Sequence, residues 1–183
     1  LGEACSDAQW LTRMVENLLS VTRIDSEKVT VQKTPTVLDE LLDTVLVKFR
    51  KRYPEIPVEL ETPDAFIVIP MDSMLIQQVL MNLLSNAFKF TPEGGRVDVS
   101  MEVLKGEPDK LLLKVSDTGT GIKDEDKEHI FERFYQVDHP DPNLQSTGSG
   151  IGLSLVHDFV TLHEGTVQVL DNVGAGSVFL VTI

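Results

Sequence analysis

Two pairs of strand-like segments, each joined through a turn signal and separated by one helix, set the tightest limit on how this chain can fold. Val97 to Leu104 and Leu111 to Val115 carry β patterns, and the Gly106-Glu107-Pro108-Asp109 stretch between them is a turn signal. Thr166 to Leu170 and Ser177 to Ile183 make a second pair, entered from a helix predicted over about Ile151 to Leu162. Strands joined by short turns pair antiparallel, so the helices stack on the sheet as a layer and do not serve as crossovers of a doubly wound sheet. The predicted class is α+β, a two-layer α/β sandwich.

Upstream, Leu38, Leu41, Leu42, Val45, Leu46 and Phe49 recur at helical intervals, with Asp39, Glu40 and Asp43 in the early turns and Pro54 and Pro57 ending the helix. A Val29 to Val31 alternation precedes Pro35, and Val58 to Leu60 and Phe66 to Ile69 read as short strands. Asp72 is placed to cap a helix that runs to Thr91-Pro92-Glu93-Gly94-Gly95. Ile122 to Ser146 is polar apart from Phe131, Phe134 and Tyr135, a length expected of a functional lid or a disordered connection. Near the start, Leu11, Met14, Leu18 and Val21 mark one long amphipathic helix from Trp10 to Ile24. It reads either as a surface helix on the domain's own core or as one strand of a helical bundle. Because the chain begins at Leu1 and runs quickly into this pattern, it is read as a fragment of a longer protein.

Composition narrows the class further. With 183 residues and 42% hydrophobic content, one well-packed domain is expected, with room for an appended element. The 16 basic and 29 acidic residues leave a net charge of -13, which disfavours a phosphate-backbone partner and argues equally against an acidic one. Cys5 stands alone, so no internal disulfide forms, and no Cys/His cluster has zinc spacing. No apolar run approaches the roughly 18 residues of a membrane span, so a soluble, cytosolic body is expected.

At about 100° per residue, Asn82, Asn86 and Lys89 fall within about 60° of one another, opposite Leu80, Leu83, Leu84 and Ala87. Asparagine is a poor helix former, so two of them four residues apart are either solvent decoration or a ligand face. Asp117, at the end of a predicted strand, is followed by Gly119 and Gly121, as in a plain turn or in a pocket that lets a flat ligand approach the backbone. Gly148, Gly150 and Gly152 lead into the last helix, whose free N-H groups and dipole favour an anion. Neither the dinucleotide fingerprint nor a Walker loop matches this spacing.

Asn82-x-x-x-Asn86-x-x-Lys89-Phe90-Thr91, Asp117-x-Gly119-x-Gly121, Phe131-Glu132-Arg133-Phe134-Tyr135 and Gly148-Ser149-Gly150-Ile151-Gly152-Leu153 together resemble the N, first glycine, F and second glycine boxes of sensor histidine kinases. The similarity runs from about Trp10 to the C-terminus. Leu11 to Leu19 and Ile69-Pro70-Met71-Asp72 also look like the potassium-sensing KdpD-type kinases.

The resemblance implies the Bergerat-type ATP-binding sandwich over 29–183, with 1–28 as the truncated C-terminal helix of a dimerisation and phosphoacceptor domain. It implies ATP and Mg2+ as cofactors, Asn86 as the metal ligand, and Asn82 and Lys89 in the catalytic roles at the phosphates. Asp117 would hold the adenine amine, with Phe90, Gly119, Gly121, Ile122 and Ser177 around the base. Phe131 and Tyr135 would belong to a mobile ATP lid. Thr147, Gly148, Ser149, Gly150, Ile151, Gly152 and Leu153 would close around the phosphates.

ATPase relatives carry a Glu where this chain has Asn82, and an amide cannot act as a general base at neutral pH. Poor hydrolysis and transfer to a nucleophile are therefore expected. None of the four histidines looks like an acceptor, since His129, His139, His157 and His163 all stand outside a His-Glu-x-x-Thr-Pro setting, and His163-Glu164-Gly165 sits at a helix end in a structural setting. The resemblance further implies a response regulator as partner, a homodimeric full kinase, and a cytoplasmic domain of a parent anchored in the inner or cell membrane. A GHKL-type serine kinase of the anti-sigma-factor kind, or a binding-only nucleotide module, is the alternative. A gyrase- or Hsp90-type ATPase is disfavoured by Asn82.

Overall fold

The computed structural model describes residues 30–63, 65–106, 108–137 and 149–183. The predicted helix over Trp10 to Ile24, together with Cys5, His139, Thr147 and Gly148, lies outside them. In chain order the elements are β1 (Thr34–Val37), α1 (Leu38–Arg52), β2 (Val58–Glu61), β3 (Val68–Met71), α2 (Ser73–Phe90), β4 (Val97–Leu104), β5 (Lys110–Asp117), α3 (Asp124–Lys127), α4 (Gly152–Leu162), β6 (Thr166–Asp171) and β7 (Ser177–Thr182).

Both predicted hairpins form. β4 and β5 pair antiparallel from Val97↔Asp117 to Leu104↔Lys110, and β6 and β7 from Thr166↔Thr182 to Asp171↔Ser177. They join through β5 and β7 into a five-stranded sheet of order β2-β4-β5-β7-β6. Alternation sends Val97, Val99, Met101, Leu111, Leu113, Val115, Phe179 and Val181 to the buried face. The apolar stripes of α1, α2 and α4 cover that face, which gives the two-layer sandwich.

α1 buries Leu38, Leu41, Leu42, Val45, Leu46 and Phe49, and its acidic first turn and basic last turn suit the helix dipole. In α2 the Asp72 carboxylate accepts from the backbone N-H of Met74 (3.2 Å) and Leu75 (3.3 Å), satisfying two of the orphan donors at the helix start. Seven residues of α2 are buried, each burial worth about 1.5–3 kcal/mol for a large side chain. Phe88 stacks on Phe49 (5.2 Å) and Tyr53 (4.9 Å), which fixes the C-terminal ends of α1 and α2 to each other. The working face of α2 is thereby held in a set orientation over the sheet.

The structure departs from the sequence expectations at the N-terminal edge. No strand forms over residues 30–33. β1 instead contains Pro35, and it pairs with β3, which lies two residues later than expected and contains Pro70. Pro35 faces Pro70 in this ribbon, so both missing N-H donors fall at one ladder position and the flanking residues carry the pairing. β2 pairs parallel with β4, the one parallel ladder among the described residues, because the ribbon and α2 intervene as a crossover. No helix among the described residues is long and apolar enough to cross a membrane.

Candidate nucleotide site

Asn82, Asn86 and Lys89 share one face of α2 and are half-buried, while Leu80, Leu83, Leu84 and Ala87 lie in the core. Solvent decoration is ruled out for Asn82, whose Nδ2 is buried and makes no hydrogen bond. Leaving such a donor unsatisfied costs about 1–3 kcal/mol. Lys89 Nζ lies 4.5 Å from the ring centroid of Phe90, and no carboxylate pairs with it among the described residues. Partial burial lowers the pKa of Lys89.

On the sheet side, β5 ends at Asp117, which is buried. Its Oδ1 accepts from the backbone N-H of Gly119 (2.8 Å) and Ser177 (3.3 Å), and its Oδ2 has no partner among the described residues. Burial pushes the Asp117 pKa up, and these two N-H groups work against that shift. A Cβ on Gly119 would run into the carbonyl of Phe90 and come within 2.8 Å of Asp117 Oδ1, so only glycine lets this turn approach the end of α2. That approach joins the helix face to the acidic pocket. Gly121 follows with φ +73°, and Ile122 packs on the core.

The third wall is the start of α4. Ile151 is buried at its N-cap with no side-chain cap bond, and the Ser154 hydroxyl donates to the Ile151 carbonyl (2.8 Å). The first-turn N-H groups thus remain available at the positive end of the helix dipole. A Cβ at Gly152 would stand 3.5 Å from Asn82 Oδ1, which places this helix end against the Asn82 amide. Ser149 and Gly150 lead into it, half-buried, and Leu153 packs on the core.

Phe131 and Tyr135 make their described contacts with other residues. The Phe131 ring meets His157 of α4 (6.1 Å) and, edge-on, Phe179 of β7 (6.5 Å). Tyr135 donates its hydroxyl to Asp126 (2.6 Å), which pushes its pKa up to about 12. No described contact brings either ring to Asn82, Asn86 or Asp117. Phe134 is exposed at φ +66°, and its N-H donates to the Gly150 carbonyl (2.8 Å). His163 is committed on both sides: Nδ1 donates to the Phe159 carbonyl (2.8 Å) and Nε2 accepts from Asp72 N-H (3.1 Å). This is a structural role, as its setting in the sequence indicated.

Sequence reasoning missed Thr118, Asn172 and Gly176. The Thr118 hydroxyl accepts from Arg96 N-H (2.9 Å), stapling the exit of α2 to the Asp117 turn. Asn172 and Gly176 touch Asp117 from the β6–β7 turn. A Gly174-x-Gly176-Ser177 pattern between two strands was the available signal.

This donor set fits a metal-bound nucleoside triphosphate. An unpartnered amide and an uncapped helix start meet at Gly152, a half-buried cation with no described carboxylate lies further along the same face of α2, and beyond the Gly119 turn stands a carboxylate oxygen with no partner among the described residues. Among the described residues no three His, Cys, Asp or Glu side chains could hold a metal by themselves. Magnesium bound here would therefore rely on phosphate and water oxygens beside an amide, which suits its habit of keeping several waters.

Residues 71–183 match the family described as histidine kinase-, DNA gyrase B-, and HSP90-like ATPase. The chain is 37% identical over 174 residues to hybrid signal transduction histidine kinase D of Dictyostelium discoideum, covering 93% of this chain and 11% of that protein. It is 28% identical over 173 residues to sensor protein KdpD of Clostridium acetobutylicum, covering 94% of this chain and 19% of that protein. Full-length ShkA in complex with AMPPNP superposes with a TM-score of 0.75 at 27% identity, over 94% of this chain and 35% of that one. Histidine kinase ThkA in complex with response regulator protein TrrA gives 0.76 at 26% identity, over 96% and 48%. The chain belongs to this ATPase family, and its relatives place it with the catalytic domains of sensor histidine kinases. It spans only a small part, 11% and 19%, of the two curated relatives named.

Proposed function

We propose that this chain binds magnesium-ATP and presents its γ-phosphate to a histidine on a dimerisation domain, as the catalytic unit of a two-component sensor kinase. The observation that carries this reading is Asn82, a half-buried side chain whose enclosed Nδ2 has no described partner, beside the open start of α4. An amide takes no proton from water at neutral pH, so the site is built to position a phosphoryl group and not to hydrolyse it. Asp117 Oδ2 accepts from the adenine amine, Lys89 offers a positive charge to phosphate, and the first N-H groups of α4 donate to phosphate oxygens. Asn86, together with phosphate and water oxygens, would hold magnesium, which would supply charge neutralisation at the transferring group.

Residues 29–183 then form the catalytic domain, and 1–28 the last helix of the dimerisation domain. A response regulator is the downstream partner, and the full kinase is a homodimer whose membrane-anchored parent carries this domain in the cytoplasm. The test is label transfer from γ-labelled ATP. Acid-labile label should appear only on an added histidine-bearing dimerisation fragment. Label on this chain alone, acid-stable label, or appreciable ATP turnover without acceptor would overturn the reading.

A further inference from the structure

Asp117 is also gripped by the turn that leads into the neighbouring strand β7, whose Asn172 and Gly176 none of the recognised motifs includes. Between β6 and β7, Asn172 uses both ends of its side-chain amide: Nδ2 donates to the Asp117 carbonyl (2.8 Å) and Oδ1 accepts from Val173 N-H (2.8 Å). The two partners are one acceptor and one donor, so the amide orientation is fixed, since a flip would set like groups against each other. The Asn172 backbone N-H donates to the Gly176 carbonyl (3.1 Å), closing the turn. Gly176, at φ +98°, lies so close that any Cβ would overlap the Asp117 carbonyl and come within 2.8 Å of Gly119 N. One residue later, Ser177 N-H reaches Asp117 Oδ1.

We infer that Asn172 is the positioning residue for adenine selectivity, acting through Asp117. Its grip on the carbonyl sets the backbone of Asp117, which in turn decides that Oδ1 is spent on Gly119 and Ser177 while Oδ2 is left for the ligand. A carboxylate free to rotate would meet a 6-amino group with neither oxygen in a fixed place. The sequence separation of 55 residues makes this a contact of the folded sheet and not of the local turn.

This inference rests on the proposed reading of Asp117 as the adenine acceptor, and the experiment separates the two. The affinities of the 183-residue chain for ATP and for purine riboside triphosphate, which lacks the 6-amino group, are compared by calorimetry with magnesium present. The unsubstituted chain should prefer ATP, and Asp117→Asn should erase most of that preference, because a buried polar reader rejects a ligand that leaves it unpaired. Asn172→Ala should lower the ATP-to-analogue ratio by about tenfold, the scale of one well-placed hydrogen bond, with the analogue bound as before. Asn172→Asp should do the same or more, since a carboxylate cannot donate to the carbonyl. A ratio unaffected by Asp117→Asn overturns the adenine reading and the inference together. A ratio sensitive to Asp117→Asn but unmoved by Asn172→Ala, or an Asn172→Ala chain that loses both ligands equally, overturns the inference alone.

Discussion

On the sheet side of the site, Asp117 is held by the backbone of Gly119 and Ser177 and by the side chain of Asn172, with one oxygen left over. On the helix side, Asn82 keeps a buried unpaired Nδ2, Lys89 has no described carboxylate, and α4 starts without a cap. The first half is finished before ligand arrives, and the second is not. A preorganised acceptor gives selectivity at little ordering cost, whereas unsatisfied polar groups are relieved on binding and so contribute to affinity. On the proposed reading, the sheet half should therefore decide which nucleotide binds, and the helix half how tightly.

The strongest challenge to this division is Asn86→Ala. Magnesium-dependent ATP binding should weaken by at least about a hundredfold, as expected when a metal-site contact is lost, and calorimetry with and without magnesium reads it. Unchanged affinity would remove Asn86 from the metal site. Next, Asp117→Asn should cost about tenfold in ATP affinity and yet raise the melting temperature of the ligand-free chain at pH 7. The folded pKa of Asp117 is raised chiefly by burial, so its favourable contribution belongs to the protonated form. That contribution is present below the unfolded pKa and lost as pH rises through the folded value. The gap in melting temperature between the two chains should accordingly close as pH falls into the acid range. Scanning calorimetry at several pH values would show a gap that persists if burial is not the cause.

A smaller effect sharpens the helix side. Asn82→Leu removes the orphaned donor and should raise ligand-free stability by about 1 kcal/mol in denaturant unfolding while abolishing transfer. A loss of stability would mean that the Asn82 amide is satisfied in the folded chain. Smallest of all is Tyr135→Phe, in a segment belonging to neither half, which should leave ATP affinity nearly unchanged. In the unsubstituted chain an absorbance titration should show one of the two tyrosines ionising only near pH 12. Its phenol form is the one the fold stabilises, so that support is lost as pH rises through that value.

Local signals explain what could be read in the sequence. The Asn82, Asn86 and Lys89 face follows from helical period, the Asp72 cap from residue type, and both hairpins from turn chemistry. The Pro35 and Pro70 ribbon could not be read, because proline usually breaks a strand and only the pairing of the two at one ladder position makes them compatible. The parallel β2–β4 edge and the grip of Asn172 on Asp117 depend on contacts across the folded sheet, which no window of sequence contains. The motif assigned Phe131 to a lid, and the ring contacts that anchor it, to His157 of α4 and Phe179 of β7, could not be read from any local window.

The bond from Phe134 N-H to the Gly150 carbonyl has one more consequence. It ties residue 134 to residue 150, so the chain between them is bounded at both ends by one contact of the described fold. Loop-closure entropy grows only logarithmically, and doubling such a stretch costs about 0.6 kcal/mol. Insertions there should leave the unfolding free energy almost unchanged. The length of chain between these two residues could thus vary while the described contacts on either side of it keep their geometry.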